Sequence, residues 1–388
     1  MSPPLGFRIV ATSGRARRGV VRTAHGTFET PAFMPVGTAG TVKGMDPSWL
    51  AACGAEVVLA NTYHLSLRPG EEAVRGQGGL HRFMAWPRPI LTDSGGYQVM
   101  SLASRRSIDD DGVRFQSHLD GAAVTLTPER VAAIQAALGS DIAMPLDVCP
   151  HFTDGEAAAE SAVTRSSAWA RRALAAPRAP GQALFGIIQG GAFAAPRRRS
   201  LSEMLAMPFD GFAIGSVQVG EAKERSYETV GWVAAALPES LPRYVMGVGT
   251  PLDLVTMAGL GVDMFDTVLP TRNARNGMAF TSAGKLVIKN ARYKDDDGPL
   301  DPGCGCPTCR RFGRAYLRHL YLASEVLAPV CLTCHNVWFY LDLMRQIRQA
   351  ISSHSLDRLR DRAARFTGGD GVPLDGAQDG HEGSGNDA

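Results

Sequence analysis

The chain has no uninterrupted apolar stretch of the roughly 18 residues that a membrane-spanning helix needs. Its first ten residues also lack the basic start and apolar run of an export signal. A soluble, cytoplasmic protein with no membrane partner is the expectation. Charge of one sign is missing too: 40 basic residues against 38 acidic ones leave a formal +2. Any polyanionic partner would have to be met by a local basic face rather than by the whole molecule. None of the nine histidines forms a His-x-His pair, which argues against a hydrolytic barrel with metal-binding histidines at strand ends. There is no internal repeat. Cysteine is scarce, and five of the seven crowd between Cys304 and Cys334 while Cys53 and Cys149 stand alone. In a reducing compartment such crowding points to metal rather than disulfides.

What is present is enough apolar residue, 45% of 388, for a large core. Short apolar runs recur at 33–36, 56–60, 89–91, 141–146, 184–188, 211–214, 243–246 and 263–269, with helix-length spacers between them. Runs buried on both faces and alternating with helices describe a parallel sheet, and eight of them close a (β/α)8 TIM barrel. One spacer is explicit: Thr127 as N-cap, Pro128 at the first helical position and Gly139 as the stop predict a helix. Between the third and fourth runs, 113–126 alternates around Asp120-Gly121 and predicts an inserted hairpin. After Leu269 the sequence turns basic and cysteine-bearing. The expected division is a catalytic barrel over 1–289, then a zinc-binding subdomain with closing C-terminal helices over 290–366. Amphipathic helices are expected there near 314–327 and 335–351. The tail, 367–388, is rich in Gly and Asp with almost no large apolar residue, and is expected to be disordered.

Cys304-x-Cys306-x2-Cys309 with His335 supplies three thiolates and an imidazole, the ligand set of a closed structural Zn2+ site. No position is left for water, so the metal would be scaffolding, one ion per subunit, clamping the loop to a helix starting near His335. Two alternatives stay open. Cys331-x2-Cys334-His335 has the form of a c-type haem attachment, and either Cys331 or Cys334 could displace one of the four ligands.

In such barrels the reactive groups sit where strands end. Those ends carry Asp93, Asp147, Gln189 and Asp266. Each alone can be a turn cap or a backbone partner. Together they place three carboxylates and an amide at one mouth, and an aspartate in an apolar strand must be paired, protonated or useful. Asp263 and Asp266 fall on opposite sides of a regular strand, so at most one faces the mouth. Glycines close behind Asp93 and Gln189 would let the backbone approach a flat ligand. A carboxylate nucleophile with a second carboxylate as acid and base is the logic of retaining glycosidases, and a nucleoside is an N-glycoside.

Over about residues 14–341 the chain resembles the bacterial tRNA-guanine transglycosylases. The matching stretches include Ala60-Asn61-Thr62-Tyr63-His64-Leu65, Thr92 through Gln98, Ser117-His118-Leu119-Asp120-Gly121, Ile188 through Gly191, Met246-Gly247-Val248-Gly249, Phe265 through Gly277 and the zinc spacing. The resemblance implies that Asp266 is the nucleophile on the ribose of the wobble guanosine and Asp93 the general acid and base. It implies that Asp147 and Gln189 read the base, that the Ser216 backbone lies at the base pocket, and that Tyr97 and Met246 sandwich the ring. Arg272 and Arg275 would hold neighbouring uridines, with Lys285, Lys289, Arg292, Lys294, Arg310, Arg311, Arg314 and Arg318 as the local basic face. The implied partners are a tRNA with a G-U-N anticodon, a 7-deazaguanine base and a second copy of the chain in a homodimer.

Departures bear on substrate choice. Ser216 replaces a glycine of the family pattern, Gln218 a small residue and Val148 a glutamate, whereas Cys149 and Val219 keep the bacterial pattern. The latter resemble a pocket for aminomethyl-deazaguanine, the queuosine precursor. Direct use of queuine is the alternative base, and a non-catalytic tRNA-binding partner subunit the alternative class. Such a subunit should lack the nucleophile.

Overall fold

The computed structural model describes residues 3–102 and 106–366, so the tail at 367–388 lies outside the described residues. The first three strands do not announce themselves in the apolar pattern. β1 (Gly6–Ser13), β2 (Ala16–Thr23) and β3 (Gly26–Thr30) form an antiparallel sheet. Val21 and Phe28 from it pack into the same core as Met34, Leu59, Leu91, Phe185 and Met264, so this sheet plugs one end of the barrel.

The barrel itself is a parallel sheet of β4 (Ala32–Met34), β5 (Val36–Gly37), β6 (Val58–Asn61), β7 (Ile90–Asp93), β11 (Ile142–Ala143), β12 (Ala183–Ile188), β13 (Gly211–Ile214), β14 (Arg243–Val245) and β15 (Met264–Asp266). β4 and β5 are one run divided at Pro35. The first half pairs with β15 and the second with β6, both parallel, so the order from β4 back to β5 joins its two ends through a single stretch of chain. Eight runs thus make the closed barrel that the apolar spacing predicts. Every residue of β6, β7, β12 and β13 is buried, which is why those runs read as continuous apolar sequence rather than as alternation.

The helix Pro128–Leu138 has the expected ends: Thr127 Oγ accepts from Arg130 N–H, and Gly139 is left-handed at φ +71°. The hairpin is β9 (Val113–Gln116) with β10 (Ala123–Leu126). A third strand, β8 (Arg106–Ile108), joins β9 on its other side. Beyond the barrel lie β16 (Met278–Thr281) and β17 (Gly284–Val287), then helices Arg314–Leu322, Leu327–Ser352 and Leu356–Arg365. Two expectations change. The long helix begins at Leu327, so His335 sits inside it rather than at its start. A third helix, Leu356–Arg365, closes the described chain, where the sequence pattern marked only two. No described helix is long and apolar enough to cross a membrane.

Candidate active site

The barrel's two ends treat their carboxylates oppositely. At the strand starts each aspartate is answered by a cationic or imidazole group. Arg17 donates to both oxygens of Asp263 at 2.9 and 2.5 Å. Asp141 takes His25 Nδ1 at 2.9 Å and His81 Nε2 at 3.0 Å, and Asp210 takes Arg178 at 3.1 Å. At the strand ends Asp93, Asp147 and Asp266 gather, and among the described ion pairs none involves them. Buried carboxylates left without a countercharge are costly to the fold, so their retention marks this end as the working one.

Asp266 closes β15. Tyr244 Oη, from the neighbouring β14, donates to its Oδ1 at 2.5 Å, and the Gly247 N–H donates to the same oxygen at 2.7 Å. One oxygen is therefore anchored, and the other, Oδ2, carries no hydrogen bond among those described. The side chain is only partly covered, yet desolvation raises its pKa, opposed by those two donors. Asp93 closes β7 and is buried. Asn61 Nδ2 donates to its Oδ2 at 2.9 Å, while Asn61 Oδ1 caps the helix Thr62–Leu67 through His64 N–H, fixing which way the amide faces. Burial first, then the charges of Asp147 and Asp266, push Asp93 up to about 7. At neutral pH it can hold a proton or release one.

Asp147, in the loop after β11, is pushed up to about 6 by burial, opposed by donors on both oxygens. Ser94 Oγ donates to Oδ1 at 3.2 Å and Gln189 Nε2 to Oδ2 at 2.5 Å. The Gln189 Oε1 then accepts from Ser216 Oγ at 2.5 Å, and Ser216 Oγ lies 3.2 Å from Cys149 Sγ. Because a carboxylate only accepts, this chain of contacts sets the Gln189 amide with Nε2 toward Asp147 and leaves its second N–H for a ligand. Ser216 stands at φ +48°, where glycine is ordinarily found, and its hydroxyl bonds are what a glycine there would not make. The neighbouring glycines serve the protein's own packing rather than a ligand. A Cβ on Gly96 would lie 2.7 Å from Asp147 O, and one on Gly215 would lie 2.6 Å from Gln189 Nε2.

Tyr97, in the helix Gly96–Leu102, is half exposed, and Met246 follows β14 at the same end, packed on the barrel interior. Arg272 and Arg275 are exposed on the helix Leu269–Arg275, directly after the Asp266 strand. Of the basic segment, Lys285 is buried, Arg314 pairs with Asp296 at 2.9 Å, and Arg318 donates to Asn290 O at 3.1 Å. Arg314 and Arg318 are thus engaged within the subdomain itself, and Lys285 is covered. Lys289, Arg292, Lys294, Arg310 and Arg311 are exposed. Asn61, Tyr244, Ser94 and Arg197 join the site only in three dimensions. Asn61 and Ser94 lie within the stretches that carry the family resemblance, but nothing in a linear sequence pairs Tyr244 with Asp266 across two strands.

Cys304, Cys306, Cys309 and His335 form a cluster whose ligand atoms lie within 4.8 Å of one another, and it could hold a metal ion. The sulfurs stand 3.6, 3.6 and 3.3 Å from His335 Nδ1. Two ligands on a tetrahedral zinc are about 3.5 Å apart, given the usual Zn–S and Zn–N lengths, so the donor set fits. His335 Nε2 lies 2.7 Å from Phe280 O. With the ring proton on Nε2 donated to that carbonyl, Nδ1 keeps its lone pair for a metal. Among the described residues neither Cys331 nor Cys334 joins the cluster.

Comparison with known proteins agrees with this geometry. The family model described as queuine tRNA-ribosyltransferase matches residues 12–368. A protein named queuine tRNA-ribosyltransferase from Syntrophobacter fumaroxidans is 55% identical over 356 residues, 91% of this chain and 95% of its own. One of the same name from Sorangium cellulosum is 54% identical over 352 residues, covering 90% and 89%. Another from Moorella thermoacetica is 53% identical over 351 residues, covering 90% and 93%. With identity at this level across nearly the whole length, and with the uncompensated carboxylates gathered at the barrel mouth, the chain belongs to the queuine tRNA-ribosyltransferase family.

Proposed function

We propose that this protein exchanges the wobble guanine of tRNAs with a G-U-N anticodon for a 7-deazaguanine by double displacement. Asp266 Oδ2 attacks the ribose anomeric carbon, forming a C–O bond as the bond to guanine breaks, while Asp93 gives its proton to the departing base. The incoming base then loses a ring N–H proton to Asp93 and attacks the same carbon, displacing the Asp266 carboxylate. Two inversions restore the original configuration. Asp147 and Gln189 read the polar edge of the base and the Ser216 backbone adds to the pocket. Tyr97 and Met246 cover the ring faces, as sites for an extruded base require. Arg272 and Arg275 contact the neighbouring uridines of the single-stranded loop. The observation carrying this reading is the anchoring of Asp266 through Oδ1 alone beside a carboxyl poised near neutrality.

Aminomethyl-deazaguanine is the proposed incoming base. With labelled guanine, aminomethyl-deazaguanine and queuine offered separately to enzyme and tRNA, incorporation should be confined to G-U-N anticodons and fastest for aminomethyl-deazaguanine. Faster incorporation of queuine would overturn the base assignment, and no incorporation of any would overturn the function. The active form is proposed to be a homodimer.

The Cys304, Cys306, Cys309 and His335 cluster is proposed to hold one structural Zn2+, which when bound would supply folding free energy and no reaction step. Extended chelation should speed hydrogen exchange across 291–322 and the start of the Leu327–Ser352 helix, leaving the barrel strands protected. Equal protection with and without chelator would overturn a structural role.

A further inference from the structure

Behind the base pocket lies an arginine that pairs directly with no carboxylate among the described ion pairs. Arg197, on the helix Ala194–Leu205, is fully buried. Its donors all end on backbone carbonyls. Nε and Nη2 donate to Gly191 O at 2.9 and 2.6 Å, Nη1 to Ile188 O at 2.6 Å and to Gly215 O at 2.8 Å, and Nη2 also to Ser216 O at 3.1 Å. These account for all five N–H groups of the guanidinium. The acceptors fall into two sets. Ile188 and Gly191 bracket Gln189 at the end of β12, and Gly215 and Ser216 form the turn at the end of β13. One planar group thus ties together the two loops that carry the proposed base-reading groups.

The direction of those carbonyls matters. In a trans peptide the C=O and the N–H of the next residue point opposite ways. Turning Gly215 O inward onto Arg197 therefore turns Ser216 N–H outward, where it faces Cys149 Sγ at the pocket. Ser216 at φ +48° is in a conformation that a side chain resists, and such a residue persists only where its surroundings over-determine it. Arg197 holds the carbonyls on both sides of it. Burial brings the guanidinium down to about 10, so it stays charged at neutral pH and polarises the peptides it grips, strengthening the N–H at their far end as a donor.

We infer that Arg197 is a positioning residue for base exchange, fixing the Gln189 loop against the Ser216 turn so that the Gln189 amide and the Ser216 N–H converge on the base without Arg197 touching it. This rests on the base-exchange reading above, so the wild type must first exchange labelled guanine into tRNA; failure there counts against that reading and not against Arg197. In the full-length enzyme, Arg197→Lys keeps the charge but offers three donors at one point in place of a five-donor fork. The expected result is a KM for guanine at least tenfold higher, kcat at saturating guanine within threefold, and a KM for tRNA within twofold. A merely structural loss would lower the active fraction and leave both KM values alone. A guanine KM within twofold of wild type in folded enzyme, or equal rises for guanine and tRNA, would overturn the inference. Should Arg197→Lys not fold, the buried Nε–H resonance of Arg197 in the wild type gives a second reading. It should shift when guanine binds, because the peptides it holds carry the donors; an unmoved resonance would equally overturn it.

Discussion

Asp266→Asn should abolish the covalent tRNA–protein species that accumulates when exchange is quenched in denaturant, and lower guanine exchange by about four orders of magnitude or more, the range seen when a nucleophile is removed. The substitution isolates one atom. Asparagine keeps an oxygen able to accept from Tyr244 Oη and Gly247 N–H, the two donors now on Oδ1. The side chain should stay where it is, and only the second oxygen becomes an amide nitrogen that cannot attack. Tyr244→Phe leaves both carboxylate oxygens and removes one donor, so it should slow adduct formation by a smaller factor, about 10- to 100-fold, from one charge-assisted hydrogen bond. An adduct that survives in Asp266→Asn would move the nucleophile elsewhere. Asp93 is the neighbouring carboxylate to test next.

The two residues differ in how legible they are. Asp266 is visible in sequence because a carboxylate interrupts the apolar run at 263–269, inside a stretch that carries the family resemblance. Its partner is not visible, since Tyr244 lies on the adjacent strand and their contact depends on the parallel register that sets Val245 beside Phe265. The same limit explains Arg197: an arginine in a helix spacer looks like any solvated one until the backbone brings four carbonyls around it. The barrel was legible because both faces of most of its strands are buried, so apolar runs alone mark them. The plug of β1 to β3 was not, because its first strand alternates between half-buried and exposed positions and lacks that continuous signature. The Cys304, Cys306, Cys309 and His335 cluster was readable from spacing, while the start of its helix at Leu327 was not. Pro329 falls in the first turn of that helix, where proline is tolerated, but in sequence it reads as a break.

Asp93→Asn should raise stability and lower activity, because in the wild type both depend on the same proton. The sign is set by burial. An Asp whose pKa rises from an ordinary 3.8 to about 7 on folding binds more protons native than unfolded between those values, so stability falls as pH climbs through that window. Above pH 7 the ionised Asp93 would cost the fold on the order of 4 kcal/mol, taking the full shift at face value. Asparagine removes that penalty. Its melting temperature should therefore exceed wild type at pH 8 and converge with it near pH 4, as checked by calorimetry across that range. Single-turnover adduct formation should follow the same proton. In the wild type it should fall above about pH 7, as Asp93 loses the proton it must give to guanine, and fall again in acid as Asp266 becomes protonated. Asp93→Asn should lose the alkaline limb and run about 10²- to 10⁴-fold slower, the usual contribution of a general acid. A variant that kept the alkaline limb would assign that proton to another group, with Asp147 the nearest alternative at about 6. A variant no more stable at pH 8 than at pH 4, relative to wild type, would show that the carboxylate is solvated rather than held dry. If Asp93 is the acid, the group that serves the reaction and the burden on the fold are the same buried oxygen pair, so the two measurements must move together or the assignment of Asp93 fails.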